Sequence, residues 1–289
     1  MTSPVTFFHG ARPKTLGAAV APVVIGTACA SVHAPVLWWR ATGALTVAVA
    51  LQVGVNYAND YSDGVRGTDA ERRGPVRLTA TGLATPSAVR GAAAVAFGAA
   101  AAVGAWLALV VEPWLLLLGA ASIAAAVLYT GGPRPYGYLG LGELSVLAFF
   151  GFAATTGSAY VQLESVPSTA WWGALAAGFP ACAILLANNL RDLETDRCAG
   201  KHTLAVRLGE RAARRLFAAL LVGSLLAVLG IAASHASALL ALAAAPLALH
   251  PWKLVSTRTD APGLVAALVG TVRFQLAVAG LLAVGLALA

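Results

Sequence analysis

Apolar residues run along this chain in blocks of about 20, separated by short polar stretches. A bilayer core of about 30 Å takes roughly 20 helical residues to cross. On that ruler the blocks predict nine transmembrane helices, over residues 15–33, 38–58, 89–111, 113–130, 140–162, 169–189, 212–233, 236–253 and 268–288. Some joints are tight, as at Glu112-Pro113 and Ser234-His235, and helices start where caps are favoured, as at Thr85-Pro86-Ser87 and Pro167-Ser168. The expected fold is an all-α polytopic bundle forming one domain over residues 1–289.

Composition agrees with that pattern. Of the 289 residues, 59% are hydrophobic and 11% are charged, against about 25% charged in soluble domains. Mean hydropathy is +0.78. The net charge of +7 is concentrated in two loops, residues 60–90 and 191–215. These loops are short, contain acids and lie between apolar spans, which favours anionic lipid head groups or a phosphorylated small substrate over nucleic acid. With nine spans, nearly all arginines and lysines fall on one side and Arg40 alone on the other. The positive-inside rule then predicts a multi-pass protein of the cell membrane with a cytoplasmic N-terminus. Cys29, Cys182 and Cys198 have neither paired nor metal-type spacing, and the five histidines form no zinc pattern. No basic region precedes a short apolar core at the N-terminus, so no signal peptide is expected.

Two polar stretches carry the chemistry. In "NYANDYSDGVRGTD", residues 56–69, Asn56, Asp60 and Asp63 stand at i, i+4 and i+7, on one helical face. In "ANNLRDLETDRCAGKHT", residues 187–203, Asn189, Asp192 and Asp196 stand at i, i+3 and i+7. Each ends an apolar span on the predicted cytoplasmic side and runs into a basic loop. The echo suggests related halves, about 11–138 and 139–289. Clustered carboxylates repel unless a cation joins them. Mg²⁺ takes oxygen ligands and is often held by one or two carboxylates plus substrate phosphate oxygens. Two clusters could hold two Mg²⁺ ions bridged by a diphosphate, with arginine and lysine taking the remaining charge. Departure of that diphosphate from an allylic carbon would leave a carbocation open to attack by an electron-rich ring. A transporter of divalent cations or anionic metabolites is the alternative from another class, but such proteins usually bind near the midplane.

At these residues the chain resembles the UbiA superfamily of intramembrane prenyltransferases, which have nine transmembrane helices and two aspartate-rich, Mg²⁺-binding motifs. The resemblance is closest to its menaquinone branch, the 1,4-dihydroxy-2-naphthoate polyprenyltransferases. It is carried by "ARPKTLGAAVAPVVIGTA" at 11–28, the first acidic motif, "RRGPVRLTATG" at 72–82, "GPRPYGYLGLGEL" at 132–144 and "NNLRDLETDRCAGKHTLAVRLG" at 188–209. It implies a metal site of Asp60, Asp63, Asp192 and Asp196, with Asn56, Asn59 and Asn189 beside them. Asp69 follows Asp63 by six positions rather than the four of many relatives, and is either a ligand or a loop residue.

Lys201 and Arg77 are expected on phosphate. Arg134 would bind phosphate or the acceptor carboxylate, with Tyr136 alongside, and Glu143 would polarise an acceptor hydroxyl. Arg12 and Lys14 are either site residues or topology anchors. Arg211, Arg214 and Arg215 read as lipid-facing anchors, and Trp38, Trp39, Trp171 and Trp172 as an outer interfacial belt. Tyr57, Tyr61, Tyr136, Tyr138 and Tyr160 are aromatic candidates for steadying a carbocation. The implied partners are polyprenyl diphosphate, 1,4-dihydroxy-2-naphthoate and membrane lipid, with no nucleic acid and no stable protein partner. An acceptor such as 4-hydroxybenzoate is the nearest alternative.

Overall fold

The computed structural model describes residues 4–67 and 77–289. A short helix α1 (Pro4–Gly10) leads through a 3₁₀ turn at Pro13–Thr15 into α2 (Gly17–Ser31). The two arms of this pair are bent by 53°. There follow α3 (Trp38–Arg66), α4 (Pro86–Val110), α5 (Leu115–Thr130), α6 (Gly142–Val146), a π-helical stretch at Leu147–Ala153 and α7 (Ala154–Leu163). The second half comprises α8 (Ser168–Arg191), α9 (Leu193–Cys198), α10 (Leu204–Leu208), α11 (Glu210–Ala232), a 3₁₀ stretch at Ala236–Ala244, α12 (Ala245–Thr257) and α13 (Ala261–Ala287).

Among the described residues there is no strand, and seven helical segments are long and apolar enough to cross a membrane. The bent pair raises the count to eight if it is one span, and α5, at 16 residues, is shorter than the others. The predicted segments therefore all stand as helices, with altered bounds. The largest change is in α3, predicted to end at residue 58. No proline interrupts it, and it continues to Arg66, ending at Gly67 in the left-handed region, whose N–H bonds back to Asp63 and Gly64. Its 29 residues span about 43 Å at 1.5 Å per residue, longer than the bilayer core. Residues 56–66 of the first acidic motif therefore lie on helix, not on a loop.

Helix α8 is the most buried of the seven segments. It packs through small residues, among them Gly173, Ala174, Ala177 and Ala181, against α2, α11 and α13. Small side chains let helices approach closely where the hydrophobic effect between helices is absent. The same device operates at Gly26 of α2, where a Cβ would lie 2.1 Å from the Thr155 carbonyl oxygen of α7. Pro180 inside α8 has no N–H to give the Ala176 carbonyl. Ser224 of α11 donates to that carbonyl at 2.7 Å, and Gln275 of α13 donates to the Ala177 carbonyl at 2.8 Å. Two neighbouring helices thus satisfy backbone groups around Pro180, as apolar surroundings require.

At the far end of α3, Arg40 donates to the Val161 carbonyl and pairs with Glu164 at 3.1 Å. The cation that stands apart from the rest is thus held by the C-terminus of α7. Trp38, Trp39, Trp171 and Trp172 are all exposed.

Candidate active site

A cavity of about 370 Å³ opens between α2, α3, α5, α7 and α8. Its wall is divided. One part is polar and includes Arg12, Asn56, Asn59, Asp63, Arg77, Asn189, Asp192, Asp196 and Lys201. The other is lined by side chains such as Val47, Leu51, Leu107, Leu118, Phe149 and Phe150. The π-helical stretch at Leu147–Ala153 contributes both phenylalanines. Such widened turns re-aim side chains and often occur at functional sites.

Asp63 stands at the centre of the polar end. Its carboxylate lies 3.3 Å from Lys201 Nζ and 3.6 Å from an Arg77 guanidinium nitrogen, and it accepts a 2.5 Å hydrogen bond from the Tyr138 hydroxyl. The three partners come from three separate loops. Two of those loops are tied to each other, since the His202 N–H donates to the Tyr138 carbonyl at 2.9 Å and the Lys201 ammonium sits 4.6 Å from the Tyr138 ring centre. Asp63, Arg77 and Lys201 are all buried, so each charge depends on its neighbours for solvation.

The second motif is built differently. Helix α8 ends at Asp192, its C-terminal cap, and Asp196 lies on the separate short helix α9. Asp192 receives two hydrogen bonds from its neighbour Arg191, at 2.8 and 2.6 Å. The Lys201 N–H donates to the Asp196 carbonyl at 2.8 Å, folding the chain back so that Lys201 re-enters the cavity.

Several expected residues have other local roles. Asp60 is 1% exposed and is not among the residues lining the cavity. Its two carboxylate oxygens accept the Leu78 and Thr79 N–H groups at 2.8 and 2.9 Å. Asn56 does reach the cavity, but its amide donates to the Ala11 carbonyl at 2.9 Å and its oxygen accepts from Gln52 at 3.3 Å. Asn59 accepts from the Thr130 hydroxyl at 2.8 Å. Glu143 is buried behind Asn189, whose amide donates to it at 2.9 Å, and does not line the cavity. Arg134 is exposed on its turn and outside the cavity. Asp69 lies outside the described residues.

Of the tyrosines, Tyr136 and Tyr138 line the cavity, whereas Tyr57 donates to the Phe7 carbonyl, Tyr61 lies beneath Arg90 and Tyr160 accepts from Trp114. The Tyr136 hydroxyl bonds the Ala125 carbonyl and Ser145. Burial raises its pKa, with the Ser145 hydrogen bond pulling the other way. Tyr129, Thr130, Asn188, Phe149 and Phe150 line the cavity without having been singled out in the sequence. Only Asn188, beside Asn189, had a local signal.

The donor set suits a hard cation. It consists of carboxylate and carboxamide oxygens with no histidine or cysteine. Among the described residues no three acidic, histidine or cysteine side chains come close enough to cage an ion. A metal here would complete its shell with water and phosphate oxygens, which is the habit of Mg²⁺.

The profile of the UbiA prenyltransferase family matches residues 19–276. The chain belongs to that family. It is 49% identical to the 1,4-dihydroxy-2-naphthoate octaprenyltransferase of Mycobacterium tuberculosis, over 99% of each chain. It is 41% identical to the enzyme of that name from Escherichia coli, over 86% of this chain and 84% of the other. Among solved structures, the apo form of a UbiA homolog from Aeropyrum pernix aligns over 95% of this chain and 97% of its own, with a TM-score of 0.71 at 16% identity. A UbiA homolog from Archaeoglobus fulgidus bound to DMAPP and Mg²⁺ aligns over 96% and 99%, with a TM-score of 0.63 at 16% identity. The UbiA-type bundle and the apolar helices make this a multi-pass membrane protein.

Proposed function

We propose that this UbiA-family chain transfers a polyprenyl group from polyprenyl diphosphate to 1,4-dihydroxy-2-naphthoate, releasing diphosphate and CO₂ and giving demethylmenaquinol. The reading rests on one observation above others. A buried, cation-paired carboxylate, Asp63, closes the polar end of a cavity whose remaining wall is largely apolar. That division matches a molecule with an anionic head and a hydrocarbon tail. The names of the relatives supply the acceptor.

Asp63, Asp192 and Asp196 would hold Mg²⁺ on the diphosphate, two ions being the arrangement we favour. Bound there, Mg²⁺ would neutralise the charge that grows on the leaving oxygens. The chain's own residues do the rest. Arg77 and Lys201 give the diphosphate charge-assisted hydrogen bonds. Asn59 and Asn189 offer neutral polar groups beside it. The allylic carbon–oxygen bond breaks with its electron pair going to the diphosphate. Tyr129, Tyr136, Tyr138, Phe149 and Phe150 surround the resulting cation with aromatic faces and exclude water. The naphthoate forms its new carbon–carbon bond at the carboxyl-bearing carbon. Loss of CO₂ returns the electron pair to the ring, so no oxidant is needed. Glu143 acts from behind Asn189, orienting that carboxamide toward the acceptor. The polar end faces the cytoplasm, with nine crossings and a cytoplasmic N-terminus, as the basic loops suggest.

The test is prenyl transfer in detergent with purified protein, a long-chain prenyl diphosphate, Mg²⁺ and either 1,4-dihydroxy-2-naphthoate or 4-hydroxybenzoate, followed by product mass. The expected product is Mg²⁺-dependent, forms with the naphthoate and lacks the mass of CO₂. Product with 4-hydroxybenzoate alone would overturn the acceptor. No product from folded protein with either ring would overturn the enzyme reading in favour of transport.

A further inference from the structure

Asn56 and Asp60 lie one helical turn apart on α3. Each holds the backbone next to an arginine that lines the cavity. The Asn56 amide donates to the carbonyl of Ala11, the residue before Arg12. The Asp60 carboxylate accepts the N–H groups of Leu78 and Thr79, the two residues after Arg77. We propose that these two motif residues are positioning residues, which fix the guanidinium groups of Arg12 and Arg77 at the anion end of the cavity, and that Asp60 is not a metal ligand. The proposal rests on the anion site described above and divides its labour. Asp63 faces the cavity, while Asn56 and Asp60 build the walls from which two cations reach in.

The geometry supports this on three counts. Both Asp60 oxygens are engaged by adjacent amides while the side chain is 1% exposed. Metal binding would require it to surrender these hydrogen bonds, a costly exchange where the Leu78 amide is buried and the Thr79 amide partly so. Asn56 is likewise used at both ends, by Ala11 and by Gln52. Lastly, Arg12 has φ 55, a left-handed conformation that a bulky, non-glycine residue holds only when its surroundings impose it. Hydrogen bonds from Asn56 to the preceding carbonyl, from the Arg12 N–H to His9 and from the Thr15 hydroxyl to the Arg12 carbonyl impose it here. A helical turn thereby converts sequence spacing into the placement of two distant arginines.

The experiment measures binding of inorganic diphosphate to the full chain by calorimetry, in EDTA and then in Mg²⁺. In EDTA, Asp60→Asn and Asn56→Leu are expected to weaken binding about tenfold, as Arg77→Gln and Arg12→Gln do. The double variants Asp60→Asn/Arg77→Gln and Asn56→Leu/Arg12→Gln are expected to bind no more weakly than the arginine variants alone. A metal-ligand role for Asp60 gives a different pattern, because removing a carboxylate beside an anion would leave binding in EDTA unchanged or tighter. That result, with a loss seen only in Mg²⁺, would overturn the proposal. Hydrogen exchange on the unaltered protein gives an independent reading should a variant not fold. Protection of the Leu78 and Thr79 amides is expected to stay constant when Mg²⁺ is added without diphosphate, and its loss would mean Asp60 had turned to the metal. Failure of the unaltered protein to bind diphosphate in either medium would remove the anion site itself, and the proposal with it.

Discussion

Lys201 Nζ lies 3.3 Å from Asp63 Oδ1, so the two acidic motifs meet through a cation rather than through facing carboxylates. Both side chains are buried, at 8% and 6% exposure. Lys201 shares that carboxylate with Arg77 and the Tyr138 hydroxyl, so its loss leaves Asp63 partnered and costs less than breaking a lone buried pair, which costs about 3–5 kcal/mol. The shared cation also gives the site its polarity for phosphate.

Lys201→Met should therefore lower kcat/KM for prenyl diphosphate. One charged hydrogen bond is worth about 1.5–3 kcal/mol, or roughly 10- to 150-fold. The melting temperature of Lys201→Met should fall only modestly, because Arg77 and the Tyr138 hydroxyl still hold the Asp63 carboxylate. Steady-state kinetics with a melting curve checks both. An unchanged kcat/KM in Lys201→Met would assign the lysine to Asp63 alone.

Chelation should abolish prenyl transfer, and added Mg²⁺ should restore it. Asp63→Asn and Asp192→Asn are expected to raise the Mg²⁺ concentration needed for half-maximal rate by about tenfold or more, as loss of one carboxylate from a Mg²⁺–phosphate site would do. A Mg²⁺ titration of each variant reads this directly.

Gly157 lines the apolar part of the cavity, and a Cβ there would meet nothing closer than 3.9 Å. Gly157→Phe should fill that part of the cavity without disturbing the polar end. Rates with long prenyl diphosphates should fall at least tenfold while those with short donors are kept. Equal losses for all donor lengths would place the tail elsewhere.

Ser224→Ala should destabilise the bundle without altering the site. It leaves the Ala176 carbonyl, which Pro180 has already deprived of its helical donor, without the Ser224 hydrogen bond. A stranded buried carbonyl costs about 1–3 kcal/mol. Thermal unfolding in detergent should show the loss, while KM for both substrates stays within twofold.

Arg211, Arg214 and Arg215 line a second, separate cavity of about 440 Å³ with Trp252 and Glu210, the last paired with Arg214. That grouping fits an anionic lipid head group. Phosphatidylglycerol should raise the melting temperature of the protein more than phosphatidylcholine does, and Arg211→Gln/Arg215→Gln should cancel the difference.

The sequence by itself determined the class of molecule. Twenty-residue apolar blocks have few ways to satisfy their backbone in lipid, so a helical bundle follows from length and composition. It also singled out Asp63, Asp192 and Asp196, because oxygen ligands at helix ends carry their meaning in residue type and spacing, while Arg77 and Lys201 came from the resemblance to the UbiA superfamily. Spacing could not separate Asp60 from Asp63. Both share a helical face with Asn56, and only the packing of Leu78 and Thr79 against α3 decides which carboxylate meets backbone amides and which meets the cavity. Nor could it tell that Arg134 points away or that Glu143 lies behind Asn189. Tyr129, Phe149 and Phe150 were illegible for a related reason, since aromatic residues in apolar spans look alike whether they face lipid, protein or substrate. Which face a helix turns inward is set by its neighbours' side chains, and that is a property of the packed bundle alone.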